Sequence, residues 1–498
     1  MHSCLNYIDG HWLAPASGET MESRNPAHWR ELVATFPRSG DIDIEMAVTA
    51  ARRAYRTWRR VPAPERAEFL YRFGELLRDR KAELAYLMSQ EMGKPLTEAN
   101  GDVQEGIDCA FYYAGEGRRL FGQTTNSEMD NKFAMTVRMP IGVCGLITPW
   151  NFPVAVPCWK AMPALVCGNT LVLKPSEDTP AVTHLLFQVF HDAGFPPGVV
   201  NLVHGLGEEA GKALVEHRDV NLISLTGSSQ TGAEVAAICA KQHKRVCLEL
   251  GGKNAQVVME DADLELALEG ALWGAFGTSG QRCTATSRLL LHRDIKDKFT
   301  EMLVDRTQKL RLGPGTDPNT EIGPIVNATQ LNTIEEYIEV AHQEGAKVLI
   351  GGNRTTAGTL TGGFFFEPTI LDGVMPHMRV AREEIFGPVV ALMEISSFEE
   401  AIAILNDTSY GLSSSVYTRD VNRAFQAMRD IEAGITYING PTIGAEVHLP
   451  FGGVKQTGNG HREAGTAALD VFTEWKTVYV DFSGRLQRAQ IDNRGPVT

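Results

Sequence analysis

The stretch Leu222-Ile-Ser-Leu-Thr-Gly-Ser-Ser-Gln-Thr-Gly232 changes from an apolar run to a turn of small residues. An apolar run followed by such a turn and a helix-length segment is typical of a strand–turn–helix unit in an α/β fold. Backbone N–H groups of a turn at a helix N-terminus can bind a pyrophosphate. The stretch therefore predicts a dinucleotide contact at Thr226, Gly227 and Ser228, although a plain strand-to-helix turn would explain the same residues.

Similar apolar runs occur on both sides of this stretch, separated by amphipathic segments of helix length. The first series of candidate strands lies at 143–147, 170–173, 199–203, 222–225 and 246–250. A second series lies at 255–259, 289–292, 348–350, 389–393 and 414–417. Alternation of strands and helices predicts a parallel sheet with helices on both faces. We therefore expect an α/β protein with two doubly wound parallel-sheet domains that meet near residue 250.

Three further segments do not follow this alternation. Residues 44–99 have apolar residues at helical spacing and predict a helical layer. Residues 132–139 and 474–482 alternate apolar and polar side chains, as edge or exposed strands do. Because an unpaired strand edge needs a partner, these two segments predict either a small sheet used for oligomerisation or an ordinary surface hairpin.

Composition and net charge argue against several classes of protein function. The chain has 498 residues, 43% of them hydrophobic and 22% charged, which is ordinary for a folded protein of several domains. A net charge of −14 argues against broad binding to nucleic acid or to anionic membranes. The sequence has no apolar run long enough to span a membrane and no secretion signal at its start, so we expect a cytoplasmic protein. Its 8 cysteines form no C-x-x-C pair and no zinc pattern, so we expect reduced thiols and no metal.

One cysteine lies among small residues, in Phe276-Gly-Thr-Ser-Gly-Gln-Arg-Cys-Thr-Ala-Thr-Ser-Arg288. Glycines near Cys283 allow a substrate carbon and backbone N–H donors to approach the thiol, as a nucleophile requires. Glu249 follows an apolar run and precedes Gly251-Gly252, which predicts a carboxylate at a strand end facing a cleft. The pair suggests a nucleophile and its base. Each also has a plainer interpretation, as a buried small side chain and as a surface carboxylate before a turn.

Two other segments suggest a dinucleotide. His204-Gly-Leu-Gly-Glu-Glu-Ala-Gly211 follows a candidate strand and includes Gly207 and Gly211, one residue longer than the usual fingerprint. Lys174 and Glu177 follow another strand and could bind the ribose hydroxyls of an adenosine, or form a solvated charge pair at a helix start. Because a carboxylate repels a 2′-phosphate, Glu177 favours NAD over NADP.

Seven motifs occur together in one order along the chain. They are Pro149-Trp-Asn-Phe-Pro153, Lys174-Pro-Ser-Glu177, Thr226-Gly-Ser228, Glu249-Leu-Gly-Gly-Lys253, Gly280-Gln-Arg-Cys283, Glu383-Glu-Ile-Phe-Gly-Pro388 and Pro450-Phe-Gly-Gly453. In these motifs the chain resembles the NAD(P)-dependent aldehyde dehydrogenase superfamily over nearly its whole length. The resemblance implies a Rossmann-like NAD-binding domain in 1–120 and 141–249, a catalytic domain in 250–471, and oligomerisation segments in 121–140 and 472–498. It also implies a homodimer or homotetramer.

The resemblance assigns roles to individual residues. Cys283 is the expected nucleophile, Asn151 the oxyanion-hole side chain, Glu249 the general base and Glu463 a second acid in proton relay. The expected cofactor contacts are Trp150, Lys174, Glu177, Gly207, Gly211, Thr226, Gly227, Ser228, Leu250, Glu384 and Phe386. The implied reaction oxidises an aldehyde to a carboxylic acid and reduces NAD, through a thiohemiacetal and a thioester that Glu249-activated water hydrolyses.

The aldehyde itself is less constrained by the sequence. Arg282 could bind a distal carboxylate or carbonyl, or point into the domain interface instead. The segment Gly280-Gln-Arg-Cys-Thr284 resembles enzymes for α-ketoglutaric and aminoadipic semialdehydes, although Val447-His-Leu-Pro450 departs from the aminoadipic pattern. Apolar walls are expected from Phe152, Trp159 and Phe451, which also suit aliphatic or aromatic aldehydes. A carboxylated semialdehyde dehydrogenase and a broad-specificity enzyme therefore both stay open.

Three other protein classes would share part of this set of residues. A thiol hydrolase would use Cys283 and Glu249 but would not need Lys174, Glu177 and the two Gly-containing turns. A CoA-acylating dehydrogenase commonly lacks the base, so the presence of Glu249 favours water as the acyl acceptor. A catalytically silent structural protein is disfavoured because Cys283, Asn151 and Glu249 are all present.

Overall fold

The computed structural model of the chain describes residues 1–355 and 357–492. Its strands are β1 (His2–Ser3), β2 (Asn6–Ile8), β3 (His11–Leu13), β4 (Thr20–Arg24), β5 (Leu32–Pro37), β6 (Gln123–Asn126), β7 (Lys132–Pro140), β8 (Val143–Ile147), β9 (Thr170–Lys174), β10 (Val200–Leu202), β11 (Leu222–Thr226), β12 (Arg245–Glu249), β13 (Asn254–Val258), β14 (Thr286–His292), β15 (Lys347–Ile350), β16 (Thr369–Asp372), β17 (Val389–Ile395), β18 (Ser413–Tyr417), β19 (Ile435–Ile438) and β20 (Thr473–Asp481). Its helices are α1 (Asp41–Trp58), α2 (Ala63–Asp79), α3 (Lys81–Met92), α4 (Leu96–Glu116), α5 (Ala155–Val166), α6 (Pro180–Asp192), α7 (Lys212–Glu216), α8 (Ser229–Lys241), α9 (Leu264–Phe276), α10 (Arg293–Thr307), α11 (Ala328–Glu344), α12 (Arg379–Arg382), α13 (Phe398–Asn406), α14 (Val421–Asp430) and α15 (Ala467–Val471).

The first large sheet has the strand order β12-β11-β8-β9-β10-β2-β3. Strands β8 to β12 are parallel, as the alternation of strands and helices predicted. Both faces of the sheet are covered, because Leu171 and Leu173 of β9 pack in the core that contains α4, α5 and α6. Their neighbour Val172 packs in the core of α1 and α8 on the other face. This is the doubly wound arrangement expected from the sequence.

The second large sheet has the order β15-β16-β17-β14-β13-β18-β19. Adjacent residues of β13 again point to opposite sides. Val257 packs in the core of α11, α13 and α14, and Val258 packs in the core of α9 and α10. The chain therefore has two doubly wound α/β sheets, which confirms the predicted fold class.

Each of the two parallel sheets also has one or two antiparallel strands at one edge, an orientation that the sequence analysis did not predict. Strands β2 and β3 extend the first sheet in antiparallel orientation, and β15 does the same in the second. A parallel neighbour requires a long crossover, whereas β3 follows β2 through the short turn at Asp9 and Gly10. Strands β16 and β19 were also missed, and β1, β4 and β5 form a further small sheet. The predicted helical layer corresponds to α1 to α4.

The two segments with alternating side chains pair with each other. Strand β20 runs antiparallel to β7, with Thr473 opposite Pro140 and Asp481 opposite Lys132, and β6 pairs with the other edge of β7. This confirms a third, small sheet. Its use in oligomerisation and the exact domain boundaries stay predictions, and residues 493–498 of the predicted C-terminal segment lie outside the described residues.

A buried asparagine joins this small sheet to the first large one. The Oδ1 atom of Asn169 accepts hydrogen bonds from the N–H groups of Ile141 and Gly142, at 2.7 and 2.9 Å. Its Nδ2 atom donates to the carbonyl oxygens of Ala164 and Phe472, at 3.1 and 2.8 Å. The chain is thereby attached to the start of β9 both where it leaves β7 and where it enters β20, at one end of the small sheet.

We predict that Asn169→Ala lowers the free energy of unfolding by about 2–4 kcal/mol, because it leaves several buried backbone groups without partners. The measurement is chemical denaturation of the purified protein. Asn422→Ala, at an exposed position of α14, is the matched control and should change stability by less than about 0.5 kcal/mol. Equal stability of both variants would contradict a structural role for the Asn169 side chain.

Candidate active site

The strand ends of the two sheets enclose a cavity of about 390 Å³. Glu249 is the last residue of β12 in the first sheet, and Cys283 lies in the loop between α9 and β14 of the second. Most of the predicted site residues line this cavity together, namely Trp150, Asn151, Phe152, Trp159, Thr226, Gly227, Ser228, Glu249, Leu250, Arg282, Cys283, Glu384, Phe386, Phe451 and Glu463. Lys174, Glu177, Gly207 and Gly211 are not among its lining residues.

The backbone before the cysteine is strained. Thr278, Ser279 and Gly280 have φ angles of 53°, 56° and 68°, in the left-handed region that side chains with a Cβ atom avoid. Such a conformation persists only where surrounding contacts hold it. Glu98 of α4 provides two of them, since its carboxylate accepts from Thr278 N at 3.0 Å and from Thr278 Oγ1 at 2.5 Å. Ser279 Oγ donates to the Gly323 carbonyl oxygen at 2.8 Å.

Close backbone packing then fixes the position of the thiol. A Cβ atom on Gly280 would lie 2.1 Å from the carbonyl oxygen of Gly387, so only glycine fits there. Asn254 Nδ2 donates to the carbonyl oxygens of Cys283 and Ala285, at 2.8 and 2.9 Å. The cysteine therefore sits on a rigid turn, as a nucleophile that must meet a bound substrate requires.

The Cys283 thiol is protonated in this environment. Burial raises its pKa to about 12, and the nearby carboxylates of Glu384 and Glu249 contribute in the same direction. A thiol reacts as its thiolate, so the site needs either a proton acceptor or a change in the surrounding charge before Cys283 can attack.

Glu249 is suited to be that acceptor. Both of its carboxyl oxygens are buried, and neither has a hydrogen-bond partner among the described residues. Burial raises the pKa of Glu249 well above its usual value, and repulsion from Glu463 adds to the shift. Lys160 and Arg462 oppose the shift without cancelling it. A raised pKa makes the ionised carboxylate a stronger base, so Glu249 binds a proton more readily than an exposed glutamate does.

Glu463 has a different environment from Glu249. It forms a buried ion pair with Lys160 of α5, and Ser224 Oγ lies 3.3 Å from Glu463 Oε1 and 2.9 Å from Lys160 Nζ. The sequence analysis missed Lys160. The available signal was a single lysine inside an otherwise apolar helix, Ala155-Val-Pro-Cys-Trp-Lys-Ala-Met-Pro-Ala-Leu-Val166, since a buried lysine is almost always paired.

Asn151 is held beside the cysteine loop. Its Nδ2 atom donates one hydrogen bond to the Gln281 carbonyl oxygen at 3.1 Å, and its side chain is buried. An amide carries two N–H groups, so a second donor remains for a ligand in the cavity. This is the donor that an oxyanion hole requires.

The opposite wall of the cavity contains Glu384 and two aromatic rings. Glu384 Oε1 accepts from Gly252 N at 2.9 Å, and burial raises the pKa of Glu384 to about 7. Gly251 permits this approach, because a Cβ atom there would lie 2.3 Å from the Glu384 carboxylate. The Trp150 and Phe386 rings are perpendicular, with centroids 5.5 Å apart. Phe386 itself has a φ of 57°, a strained value for a bulky residue.

The turns predicted to bind a dinucleotide lie at helix starts. Ser228 is the N-cap of α8, with its Oγ accepting from Thr231 N at 3.1 Å. Gly227 N donates to the Glu249 carbonyl oxygen at 3.0 Å, so this N–H is not free for a phosphate. Lys174 Nζ lies 3.1 Å from Glu177 Oε2 at the end of β9. Gly207 and Gly211 bound a π-helical turn that leads into α7.

Arg282 lines the cavity and also spans the domain interface. Its guanidinium forms an ion pair with Glu98 of α4, and its Nε donates to Thr278 Oγ1 at 2.9 Å. The group also lies over the rings of Phe152 and Trp273, 5.4 and 5.0 Å from their centroids. Its charge is therefore already matched within the protein. A role in binding a substrate carboxylate stays a prediction.

The other predicted wall residues form an apolar surface. The Trp159 and Phe451 rings pack edge to face, with centroids 4.7 Å apart. Glu105, Gln330 and Thr333 also line the cavity and were missed from the sequence. Gly444 and Ala445 line it too, in a loop whose Thr-x-Gly-Ala segment resembles the carboxylate-anchoring loop of the semialdehyde enzymes. Within the described ranges, no three His, Cys, Asp or Glu side chains are grouped so as to hold a metal ion. No described helix is both long and apolar enough to cross a membrane.

This geometry agrees with the sequence comparisons. Residues 12–478 match the aldehyde dehydrogenase family. The chain belongs to this family. The resemblance seen in the sequence motifs is thereby confirmed, and the α/β architecture is that of solved aldehyde dehydrogenases.

Individual relatives match along nearly the whole chain. The α-ketoglutaric semialdehyde dehydrogenase of Bacillus subtilis (strain 168) is 42% identical over 476 residues, which cover 96% of this chain and 98% of the relative. The α-ketoglutarate semialdehyde dehydrogenase of Haloferax volcanii is 43% identical and covers 95% and 98%. A crystal structure of betaine aldehyde dehydrogenase from Staphylococcus aureus in complex with NAD+ has a TM-score of 0.95, is 36% identical and covers 97% and 96%.

The raised pKa of the Cys283 thiol leads to a testable result. Cys283 lines the cavity and is the one cysteine of the eight whose surface is partly accessible, and all eight lie in the described residues. We predict that iodoacetamide labels Cys283 selectively in the folded protein. Since only the thiolate reacts, the rate should rise by about tenfold per pH unit between pH 7 and pH 9. The measurement is mass spectrometry of the labelled peptide, with Cys283→Ser as the blank.

The contribution of the Glu384 carboxylate to the raised pKa of the Cys283 thiol can be tested in the same labelling assay. Glu384→Gln removes a charge that raises the thiol pKa, so labelling at pH 8 should become about two- to fivefold faster. Glu383→Gln is the matched control, because Glu383 pairs with Arg379 and Tyr337 instead. Equal rates in both variants, or a rate independent of pH, would contradict this description of the thiol.

Proposed function

We propose that this family member oxidises an aldehyde to its carboxylic acid with NAD as oxidant, and that its substrate is a carboxylated semialdehyde of the α-ketoglutaric type. The observation that carries the proposal is that the Cys283 thiol and the unpartnered Glu249 carboxyl line one cavity between the two sheets. A nucleophile and a proton acceptor that share a water-accessible cavity can perform acyl transfer to water.

The first step joins Cys283 to the aldehyde. The thiol proton is transferred to a carboxylate as the sulfur attacks the carbonyl carbon, and Glu249 is the acceptor whose oxygens are free. The carbonyl oxygen becomes an oxyanion, which is stabilised by the second N–H of the Asn151 amide and by the Cys283 backbone N–H. Loss of one such donor typically costs about 2.7–4 kcal/mol of transition-state stabilisation.

The site fits a dinucleotide on structural grounds. Small residues occupy the start of α8, and Gly251 keeps open the space that a Cβ atom would close against Glu384. Glu384, Phe386 and Trp150 would hold the nicotinamide end, while Ser228, Lys174 and Glu177 would hold the pyrophosphate and adenosine. A bound NAD would supply the acceptor for the hydride of the substrate carbon, and loss of that hydride would convert the Cys283 adduct to a thioester.

Hydrolysis of the thioester returns the enzyme to its starting state. Glu249 accepts a proton from water as the water oxygen attacks the acyl carbon, and the Cys283 thiol is the leaving group. Glu463, Lys160 and Ser224 are hydrogen-bonded to one another beside Glu249. Because Glu249 has no direct hydrogen bond to them, a proton that leaves Glu249 for this group has to pass through a water molecule. Only Glu463, among these relay groups, was expected from the resemblance.

The preference for NAD and the identity of the aldehyde are supported by separate observations. Preference for NAD over NADP is supported by the Glu177 carboxylate beside Lys174, which would repel a 2′-phosphate, and by the NAD+ complex of the related structure. The semialdehyde is supported by the two relatives of that name. The aromatic surface of Phe152, Trp159 and Phe451 favours the alternative, a broad-specificity aliphatic or aromatic aldehyde dehydrogenase.

Assembly and location belong to the same proposal. We infer a cytoplasmic homodimer or homotetramer, in which the small sheet contacts another copy. The support is the number of large apolar side chains that β20 and its neighbours leave exposed, including Trp475, Tyr479 and Phe482.

The substrate assignment is tested by the rate of NADH formation with an aldehyde panel. The purified protein should show a higher kcat/KM for 2,5-dioxopentanoate than for pentanal, which has the same chain length without the keto acid. A flat profile, or a preference for pentanal or benzaldehyde, would replace the semialdehyde with the broad-specificity alternative. No NADH with any aldehyde would overturn the oxidation itself.

The role of Glu249 is tested with Glu249→Gln. Because the amide cannot accept a proton, both the attack by the thiol and the hydrolysis of the thioester should slow. The thioester should then accumulate in a burst of about one NADH per active site that forms more slowly than in wild type, followed by a steady rate about 100-fold or more below wild type. The measurement is stopped-flow absorbance of NADH with 2,5-dioxopentanoate or pentanal. Glu383→Gln serves as the control and should turn over normally. Unchanged steady-state turnover in Glu249→Gln would remove Glu249 from the mechanism.

A further inference from the structure

One carboxyl group in the cavity has no role in the steps above. Helix α4 presents Glu98, Asp102 and Glu105 at intervals of four and three residues, which places all three on one helix face. Glu98 is paired with Arg282, and Asp102 is paired with Lys94 at 2.7 Å with both side chains fully buried. Glu105 lines the same cavity as Cys283, yet its Oε1 atom is buried without a hydrogen-bond partner among the described residues.

Among the described residues, Glu105 forms no ion pair. Its nearest titratable neighbours lie on α4, α5, β19 and two loops, and they are Asp102, Asp108, Cys109, Lys94, Arg282, Cys158 and Tyr437. The two cations in this set, Lys94 and Arg282, are already bound by Asp102 and Glu98. Burial, with a further contribution from Asp102, raises the pKa of Glu105 to about 8. At pH 7 the group is therefore mainly a neutral acid with a proton to donate.

A buried polar group without a partner is costly, unless a ligand supplies the missing hydrogen bond. The cavity also has apolar walls, among them Phe152, Trp159, Phe451 and Ala445. A short aliphatic aldehyde would leave Glu105 unpartnered. A substrate that carries an oxygen acceptor at its non-reacting end would satisfy it.

We propose that Glu105 is a specificity-determining residue, whose protonated carboxyl donates a hydrogen bond to the carboxylate or keto oxygen at the non-reacting end of a keto-acid semialdehyde. The inference rests on the proposed function, because it names the group that recognises that substrate. No bond is made or broken at Glu105, and its proton stays with the carboxyl throughout the reaction.

The proposal has a definite pH dependence. Glu105 is protonated below pH 8 and ionised above it, so a substrate carboxylate is bound at neutral pH and repelled at alkaline pH. An aldehyde with a cationic end gains nothing from the neutral acid. A neutral aldehyde such as pentanal makes no contact that depends on the charge of Glu105.

The test uses 2-oxopentanoate, which carries the keto acid but has no aldehyde, as a competitive inhibitor of pentanal oxidation. For the wild type, Ki should rise by about tenfold between pH 7 and pH 9. Glu105→Gln keeps a donor that does not titrate, so its Ki should stay near the wild-type value at pH 7 across this range. Glu105→Leu lacks the donor, and its Ki at pH 7 should be about tenfold higher and insensitive to pH.

Pentanal oxidation is the control for folding and chemistry, and its kcat/KM at pH 7 should agree within about twofold among the three proteins. Equal Ki values in wild type and Glu105→Leu would overturn the proposal. A Ki of 2-oxopentanoate that falls at alkaline pH would also overturn the proposal. So would a preference of the wild type for betaine aldehyde that is lost in Glu105→Leu, because either result indicates an ionised Glu105. Because the inhibitor assay needs only pentanal turnover, it remains informative if 2,5-dioxopentanoate proves a poor substrate.

Discussion

The site depends on one strained turn and on the carboxylate that holds it. Thr278 and Ser279 adopt left-handed backbone angles that no local propensity favours, and Glu98 binds the N–H and hydroxyl groups of Thr278 while pairing with Arg282. Glu98 belongs to a helix packed against the first sheet, whereas the turn belongs to the second. The same contacts that hold Cys283 in position therefore also join the two sheets across the cleft. A displacement of either sheet would release the strain and move the thiol.

The carboxyl groups of the cleft divide into two classes. Asp102, Glu98 and Glu463 each form an ion pair, with Lys94, Arg282 and Lys160 respectively. Among the described residues, Glu249, Glu384 and Glu105 form no ion pair, and burial raises the pKa of each above its usual value. An unpaired buried charge would cost several kcal/mol, so these three groups can exist there because they are able to become neutral. The paired carboxylates maintain structure, and the unpaired ones are free to exchange protons or to meet a ligand.

Much of the fold and many residues of the site could be predicted from the sequence, and the elements and contacts that were missed have physical causes. Strand–turn–helix alternation predicted both large sheets because buried parallel strands are continuous apolar runs, and the motifs located Cys283, Glu249 and Glu384. The antiparallel strands β2 and β3 were missed because three residues are too few to show a period. The partners Lys160 and Glu98 were missed because pairing across 303 and 184 residues depends on the fold, which spacing along the chain does not encode. The sequence left open whether Arg282 faces the cavity or the domain interface, and its ion pair with Glu98 could not be seen from the sequence.

Relatives named for different aldehydes share this fold and 36–43% of the sequence, so the catalytic geometry by itself does not select a substrate. Selection has to come from groups that line the cavity without taking part in the chemistry. Aromatic walls accept most chains of suitable width, because apolar contact distinguishes aldehydes by only about 1–3 kcal/mol per methylene. Arg282 offers little net charge to a ligand while Glu98 neutralises it. A buried acid without a partner discriminates more strongly, since it favours a substrate that completes its hydrogen bond and penalises one that leaves it unsatisfied.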